Sequence, residues 1–261
     1  MPENFWSDSM SNFQSDRVGK IPISWFEPKQ DPGSRTLVIW IPGFSGSKED
    51  MEPYLADLTS AGFLALSFDP HQHGERMVDP SREAFTNRVR GNLRRYFWPI
   101  LAETAKDAST VVDWAVKHLG VREVAGMGGI SAGGDASVVA SSINRDIAVI
   151  ATGLATADWL RPGSFEPPGK PDDTAQDHYD QYNPLTNLES YEHTPAINFQ
   201  VGAIDRQCPP DGARRFIEAL HNNIYKDCPE KLEVELHQGI AHEFTDAAWQ
   251  NCLDWFLKYL K

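Results

Sequence analysis

The chain has 261 residues, 24 Lys and Arg against 37 Asp and Glu, a formal net charge of −13 and 41% hydrophobic residues. This length suits one large α/β domain spanning 1–261 with a sizeable core, and the acidic balance disfavours nucleic acid or an anionic membrane as partner. Three widely spaced cysteines, Cys208, Cys228 and Cys252, form no C-x-x-C, and Met1 to Asp8 shows neither a basic n-region nor an apolar h-region, so a reducing cytoplasmic setting is expected.

Val18 to Phe26 reads as an early strand that Pro22 pushes to a sheet edge. Thr36 to Ile41 is a continuous β-branched and apolar run ending in Pro42-Gly43, as in a central parallel strand buried on both faces. Met51, Tyr54, Leu55 and Leu58 recur at helical spacing between Lys48 and Ala61, and Gly62 stops that helix before a strand at Phe63 to Phe68. Arg88 to Trp98 is basic and aromatic in an otherwise acidic chain. It is either a solvated helix face with apolar anchors, or a place where Tyr96, Phe97 or Trp98 lines an acyl pocket while an arginine meets a substrate carboxylate. A helix is expected from about Ile100 to Leu119, closed by Gly120.

Gly129-Ile130-Ser131-Ala132-Gly133 then forms a G-x-S-x-G between an apolar run and a small-residue, helix-compatible run. A serine on a sharp strand-to-helix turn is backbone-strained, and the residues two before and two after it pass too close for a Cβ, hence the two glycines. Such a turn lifts the Ser131 hydroxyl over the sheet and aims the N-terminus of the following helix at the same point, where an oxyanion would be stabilised.

Ile147 to Thr152 is the next strand, followed by a polar, proline-rich stretch from about Gly153 to Thr194 that is long for a plain loop. Its aromatic residues, among them Trp159 and Phe165, favour a lid or cap over the pocket, with a solvated, anchored loop as the alternative. Ala196 to Val201 resumes the sheet, a helix runs from about Pro210 to Leu220, Leu232 to Leu236 alternates like an edge strand, and Phe244 to Leu260 is the last helix. No stretch of about 18 apolar residues interrupts this alternation, which implies a mostly parallel sheet with helices on both faces.

Two further segments, Gly43-Phe-Ser-Gly-Ser-Lys48-Glu49 and His73-Gly-Glu-Arg76, complete an ordered motif set. With the G-x-S-x-G they resemble the serine α/β-hydrolases, and within them the dienelactone-hydrolase-like esterases, from about Thr36 to the C-terminus. The resemblance implies an α/β-hydrolase fold with a lid insertion before the acid. This chain departs from it in having Pro42 where many members carry His, and Ser131 where the namesake enzymes carry cysteine, which argues against dienelactone itself as substrate.

The acid of a Ser-His-Asp triad should follow a late strand. Asp205, in Gly202-Ala-Ile-Asp-Arg-Gln-Cys-Pro209, fits that place and resembles the family's G-x-x-D-x-x-V-P; Asp158, Asp172, Asp173, Asp177 and Asp180 are alternatives within the insertion. His242 follows the last strand in Gly239-Ile-Ala-His-Glu-Phe244, similar to the family's G-x-x-H-x-F, whereas alternation puts His237 on the opposite face. His71 and His73 have metal-compatible spacing but lack partner ligands nearby, so His73 is expected to be structural and no metal is expected. The backbone N–H groups of Phe44 and Ala132 are the expected oxyanion donors.

The expected activity is hydrolysis of a small-molecule carboxylic ester through an acyl-enzyme, without a cofactor. A peptidase, thioesterase or lactonase on the same triad is the alternative, and a non-catalytic ligand-binding homologue is the alternative of another class.

Overall fold

The computed structural model describes residues 13–28 and 35–261. The expectations drawn from Met1 to Asp8 lie outside the described residues. The early segment is a hairpin rather than one strand: β1 (Phe13–Val18) and β2 (Ile21–Phe26) pair antiparallel across the turn at Gly19, whose φ is +61°. The expectation that Pro22 marks a sheet edge is also corrected, because β2 lies between β1 and β4 (Leu64–Phe68). Pro22 is tolerated there because its carbonyl is the group in use, accepting from the Asp69 N–H at 3.0 Å.

The sheet continues through β3 (Arg35–Ile41), β5 (Val121–Ile130), β6 (Ile147–Gly153), β7 (Ala196–Gly202) and β8 (Leu232–His237), in the order β1-β2-β4-β3-β5-β6-β7-β8. From β4 to β8 all pairings are parallel. The apolar run of β3 is a central strand buried on both faces, β4 and β7 are also interior and wholly buried, and the alternating β8 is an edge.

Two helices, α1 (Glu52–Ser60) and α7 (Asp246–Leu260), cover one face, packing Leu55, Leu58, Trp249 and Phe256 around the fully buried Trp40. The Trp40 and Trp249 rings meet edge-on with centroids 4.9 Å apart. The other face carries α3 (Leu93–Leu119), α4 (Ala132–Ile143) and α6 (Asp211–Asn223). The sheet, with helices on both sides, is the α/β-hydrolase architecture that the motif resemblance implied.

The helix expected from Ile100 begins seven residues earlier, at Leu93. Asn92 caps it, its side-chain oxygen accepting from the Arg95 N–H at 3.2 Å, and the helix runs on through Pro99. Arg88 to Trp98 therefore belongs to two helices, the end of α2 (Arg82–Gly91) and the start of α3. The stretch after β6 holds α5 (Asp173–Tyr182) and two short 3-10 turns, so much of it has secondary structure of its own.

Candidate active site

Ser131, Asp205 and His242 each stand in the connection that follows a parallel strand, β5, β7 and β8 respectively. Ser131 stands between β5 and α4 at φ 53° and ψ −115°, strained for a residue with a Cβ. The close approach anticipated at the flanking glycines is present: a Cβ on Gly129 would lie 2.5 Å from the Ile41 carbonyl oxygen, and one on Gly133 would strike the Ile41 and Pro42 carbonyls. The turn is held from both sides, Ser131 N–H donating to the Gly153 carbonyl at 2.7 Å and Asp135 N–H donating to the Ser131 carbonyl at 2.9 Å.

Ser131 Oγ lies 3.1 Å from His242 Nε2, and His242 Nδ1 lies 2.6 Å from Asp205 Oδ2. These three side chains, 111 and 37 residues apart in sequence, thus form one hydrogen-bonded series. The loops bearing Asp205 and His242 are joined to each other, with Ala203 N–H donating to the His237 carbonyl at 3.0 Å and Ile204 N–H to the Ile240 carbonyl at 3.1 Å. The second Asp205 oxygen accepts from the N–H groups of Gln207 and Cys208 at 2.8 and 2.9 Å. Burial works to raise the Asp205 pKa, but the bonds from His242 and these amides prevail and hold it below the usual carboxylate value. His242 keeps 23% of its side chain exposed while that of Asp205 keeps 1%, so the imidazole faces the solvent side and the carboxylate lies beneath it.

Ala132 follows the serine in the chain, and the loop that carries Phe44 approaches it at Gly43, where a Cβ would lie 3.8 Å from that of Ser131. Ala132 is the first residue of α4, whose opening N–H groups have no intrahelical acceptor. Phe44 lies on the loop after β3, its ring packed against His73, Phe85 and Phe97 with centroids 5.7, 4.9 and 5.8 Å away. The two motif segments turn out to be one clamp beneath this loop. Buried Lys48 reaches Glu75 at 2.7 Å, while the Asp69 carboxylate accepts from the Lys48 and Glu75 N–H groups at 3.0 and 2.8 Å. Arg76 pairs with Asp107 at 2.6 Å and donates to the Asp69 carbonyl at 3.0 Å. His73 is 1% exposed, its Nδ1 2.8 Å from the His71 carbonyl oxygen.

Three of the other candidates for the acid have structural occupations. Asp158 pairs with Arg215 at 2.6 Å, Asp172 caps α5 by accepting from the Ala175 N–H at 3.0 Å, and Asp180 accepts from Gln176 at 2.7 Å. His237 bonds Gln200 at 2.8 Å, away from the series.

The expected pocket residues separate. Phe97 lies under both Phe44 and the Arg161 guanidinium, which is 4.9 Å from its ring centroid. Trp98 stacks on Tyr179 at 4.6 Å and donates its indole N–H to the Trp159 carbonyl at 3.0 Å. Trp159 is 4% exposed and lines a cavity of about 200 Å³. Tyr96 lies between Arg88 and Arg95, and Phe165 is 63% exposed; neither lines that cavity.

One feature gave no signal in the sequence. Asp135, one turn into α4 and fully buried, binds Arg161 at 2.5 Å and accepts from the Thr156 N–H at 2.7 Å. Burial raises the Asp135 pKa, against the opposing effect of Arg161. Arg161 also faces Glu166 at 3.6 Å. Nothing in the spacing of Leu160-Arg161-Pro162 marks that arginine as buried.

Known proteins share this architecture. YitV of Bacillus subtilis (strain 168), an esterase candidate, is 22% identical over 250 residues, covering 86% of this chain and 89% of its own. The crystal structure of TT1662 from Thermus thermophilus superposes with a TM-score of 0.76 at 20% identity, over 95% of this chain and 98% of that one. A candidate dienelactone hydrolase from Klebsiella pneumoniae subsp. pneumoniae MGH 78578 superposes with a TM-score of 0.66 at 17% identity, over 95% and 98%. The family model of the prolyl oligopeptidases matches residues 100–261, more than half of the chain and the part that holds Ser131, Asp205 and His242. The chain therefore belongs to the prolyl oligopeptidase family and is a serine hydrolase of the α/β-hydrolase fold.

Proposed function

We propose that this hydrolase cleaves carboxylic esters through an acyl-enzyme intermediate, with Ser131 as nucleophile, His242 as general base and acid, and Asp205 orienting the imidazole. The observation that carries the reading is the series running from Ser131 Oγ through both ring nitrogens of His242 to Asp205, at 3.1 and 2.6 Å. As Ser131 Oγ attacks the acyl carbon, its proton passes to His242 Nε2, and the imidazolium forms beside a carboxylate that its surroundings keep ionised. The developing oxyanion falls to the N–H groups of Phe44 and Ala132, where losing one donor costs about 3–4 kcal/mol of transition-state stabilisation. His242 returns the proton to the departing alcohol, and water repeats the sequence on the acyl-enzyme. We place the reaction in the cytoplasm, on a small-molecule ester.

A second reading, cleavage of a peptide bond by the same residues, is favoured by the description of the family. Only the leaving group differs, so substrates decide between the two. Ser131→Ala should abolish labelling by a fluorophosphonate and lower kcat on an activated aryl ester by several powers of ten, with melting little changed. Labelling that survives the substitution removes Ser131 from the mechanism. A panel of esters, thioesters, lactones and aminoacyl amides then separates esterase from peptidase, and slow turnover of every member would make the chain a ligand-binding homologue.

A further inference from the structure

The segment Arg88 to Trp98 carries four arginines, and three of them are paired. Arg88 grips Asp79 with Nε and Nη2 at 3.1 and 2.8 Å. Arg90 faces Glu166 at 3.6 Å, and Arg95 faces Asp172 at 3.2 Å. Arg94 differs. Among the described residues it meets no carboxylate; its guanidinium lies 5.9 Å from the Trp98 ring, and its Nε is buried without a hydrogen-bond partner.

A second donor shares this condition. The indole Nε1 of Trp159, on a side chain almost wholly buried, also lacks an acceptor among the described residues. Both residues line the cavity of about 200 Å³, walled further by Leu93, Arg161, Glu166 and Pro168. Buried N–H groups without acceptors are rare because desolvation is then uncompensated, and here two such groups and one unpaired positive charge share a single hollow.

The charges on its wall define what would fit. Arg161 and Arg90 already answer Asp135 and Glu166, which leaves the Arg94 charge in excess. A monoanion with paired oxygens matches that charge and the fork of a guanidinium, and a phosphate dianion would meet the Glu166 carboxylate on the same wall. The wall of the hollow is tied to the loops that carry the proposed catalytic residues. Its wall from Leu160 to Glu166 is fastened to the turn carrying Asp205, Ser164 Oγ donating to the Gln207 carbonyl at 2.9 Å and Phe165 N–H to the Arg206 carbonyl at 3.0 Å. Arg161 binds Asp135, whose N–H in turn holds the Ser131 carbonyl.

We propose that this cavity is a subsite for a carboxylate carried by the substrate, held by the Arg94 guanidinium and the Trp159 indole N–H, so that the preferred esters are monoesters of short dicarboxylic acids. The preference for such esters rests on the ester-hydrolysis reading given above; the carboxylate site itself does not.

Binding and turnover are therefore tested separately. In calorimetry on the intact protein, glutarate should bind and the uncharged glutaramide should not. Arg94→Met should weaken glutarate at least tenfold, Arg94→Lys should give an intermediate loss by keeping the charge without the fork, and Trp159→Phe should cost a few-fold by removing the N–H alone. Absence of glutarate binding, or equal affinity in wild type and Arg94→Met, overturns the site. For turnover, the ratio of kcat/KM between 4-nitrophenyl hemiesters of malonate to adipate and neutral esters of matching length should exceed one for at least one chain length, and fall at least tenfold in Arg94→Met. A ratio that Arg94→Met leaves unchanged across the whole series overturns the substrate role. Glutarate binding without turnover of any ester would uphold the carboxylate site and remove the esterase reading instead.

Discussion

His73 illustrates what burial does to one titratable residue. Its Nδ1 faces a carbonyl oxygen, which only an N–H can satisfy, so Nε2 is the bare nitrogen; that atom is buried without a partner among the described residues. Burial, with Arg76, Arg82 and His71 adding like charge, pushes its pKa down from 6.5 to about 4. The folded state thus prefers neutral His73, and the unfolded chain takes up the proton first. Stability from this residue is complete above pH 6.5, declines as pH falls from 6.5 to 4, and amounts to about 3 kcal/mol across that window. His73→Asn keeps a donor for the His71 carbonyl and removes the titration. Urea midpoints at pH 7, 5.5 and 4.5 should therefore fall more steeply for wild type than for the variant. Parallel profiles would show that His73 is free to protonate in the fold. At this scale the sequence was informative about placement along the chain: Ser131 within its glycines, and Asp205 and His242 just after their strands, are the side chains that meet in one hydrogen-bonded series. It was silent on Asp135 and Arg161, because a pairing across 26 residues has no local pattern.

Among the elements, those whose signal is local were legible and those decided by tertiary packing were not. The apolar run at Thr36 to Ile41 was expected to be a strand buried on both faces, and it is; Ala196 to Val201, expected to resume the sheet, is β7 and is buried throughout despite Asn198 and Gln200. The start of α3 was hidden by Pro99, which ordinarily breaks a helix interior, while the capping Asn92 gave no sign of outweighing it. The Gly19-Lys20 turn was likewise concealed inside a run that reads as a single strand. The stretch after β6 divides by burial: Leu154 to Trp159 are all buried, whereas Leu160 and Phe165 are exposed. Two aromatics that looked alike in the sequence should then respond differently. Phe165→Ala should alter stability by no more than about 0.5 kcal/mol, and Trp159→Ala should cost about 3–5 kcal/mol by opening a cavity among Trp98 and its neighbours. Denaturant midpoints of the two variants test this. An equal response would mean that the Leu154 to Trp159 segment does not belong to the core.

At the scale of the whole molecule, four loops at one edge of the sheet must be held in register, and the stretch between β6 and β7 has to be fixed to that edge as well. The buried Arg161–Asp135 pair ties it there, because Asp135 belongs to α4, which begins just after Ser131, and Arg161 to the stretch between β6 and β7. Taking two charges out of water is expensive, and such a pair is worth little against a well-packed apolar one, but removing a single partner is severe. Arg161→Met would leave Asp135 buried beside only the Thr156 N–H, for an expected loss of about 3–5 kcal/mol. Asp135→Asn alone should be milder, since Arg161 keeps Glu166 at 3.6 Å and an amide oxygen can still accept from Thr156. The double variant should recover at least half of the Arg161→Met loss, as the uncompensated carboxylate is gone. The same cycle run on kcat with an activated ester asks whether the pair also sets the site. If it positions the turn at Ser131, Arg161→Met lowers kcat at a temperature where the protein remains folded, and the double variant restores part of it. If the losses in stability are additive instead, the two residues do not act as a pair, and the stretch between β6 and β7 is held to the sheet by its other contacts.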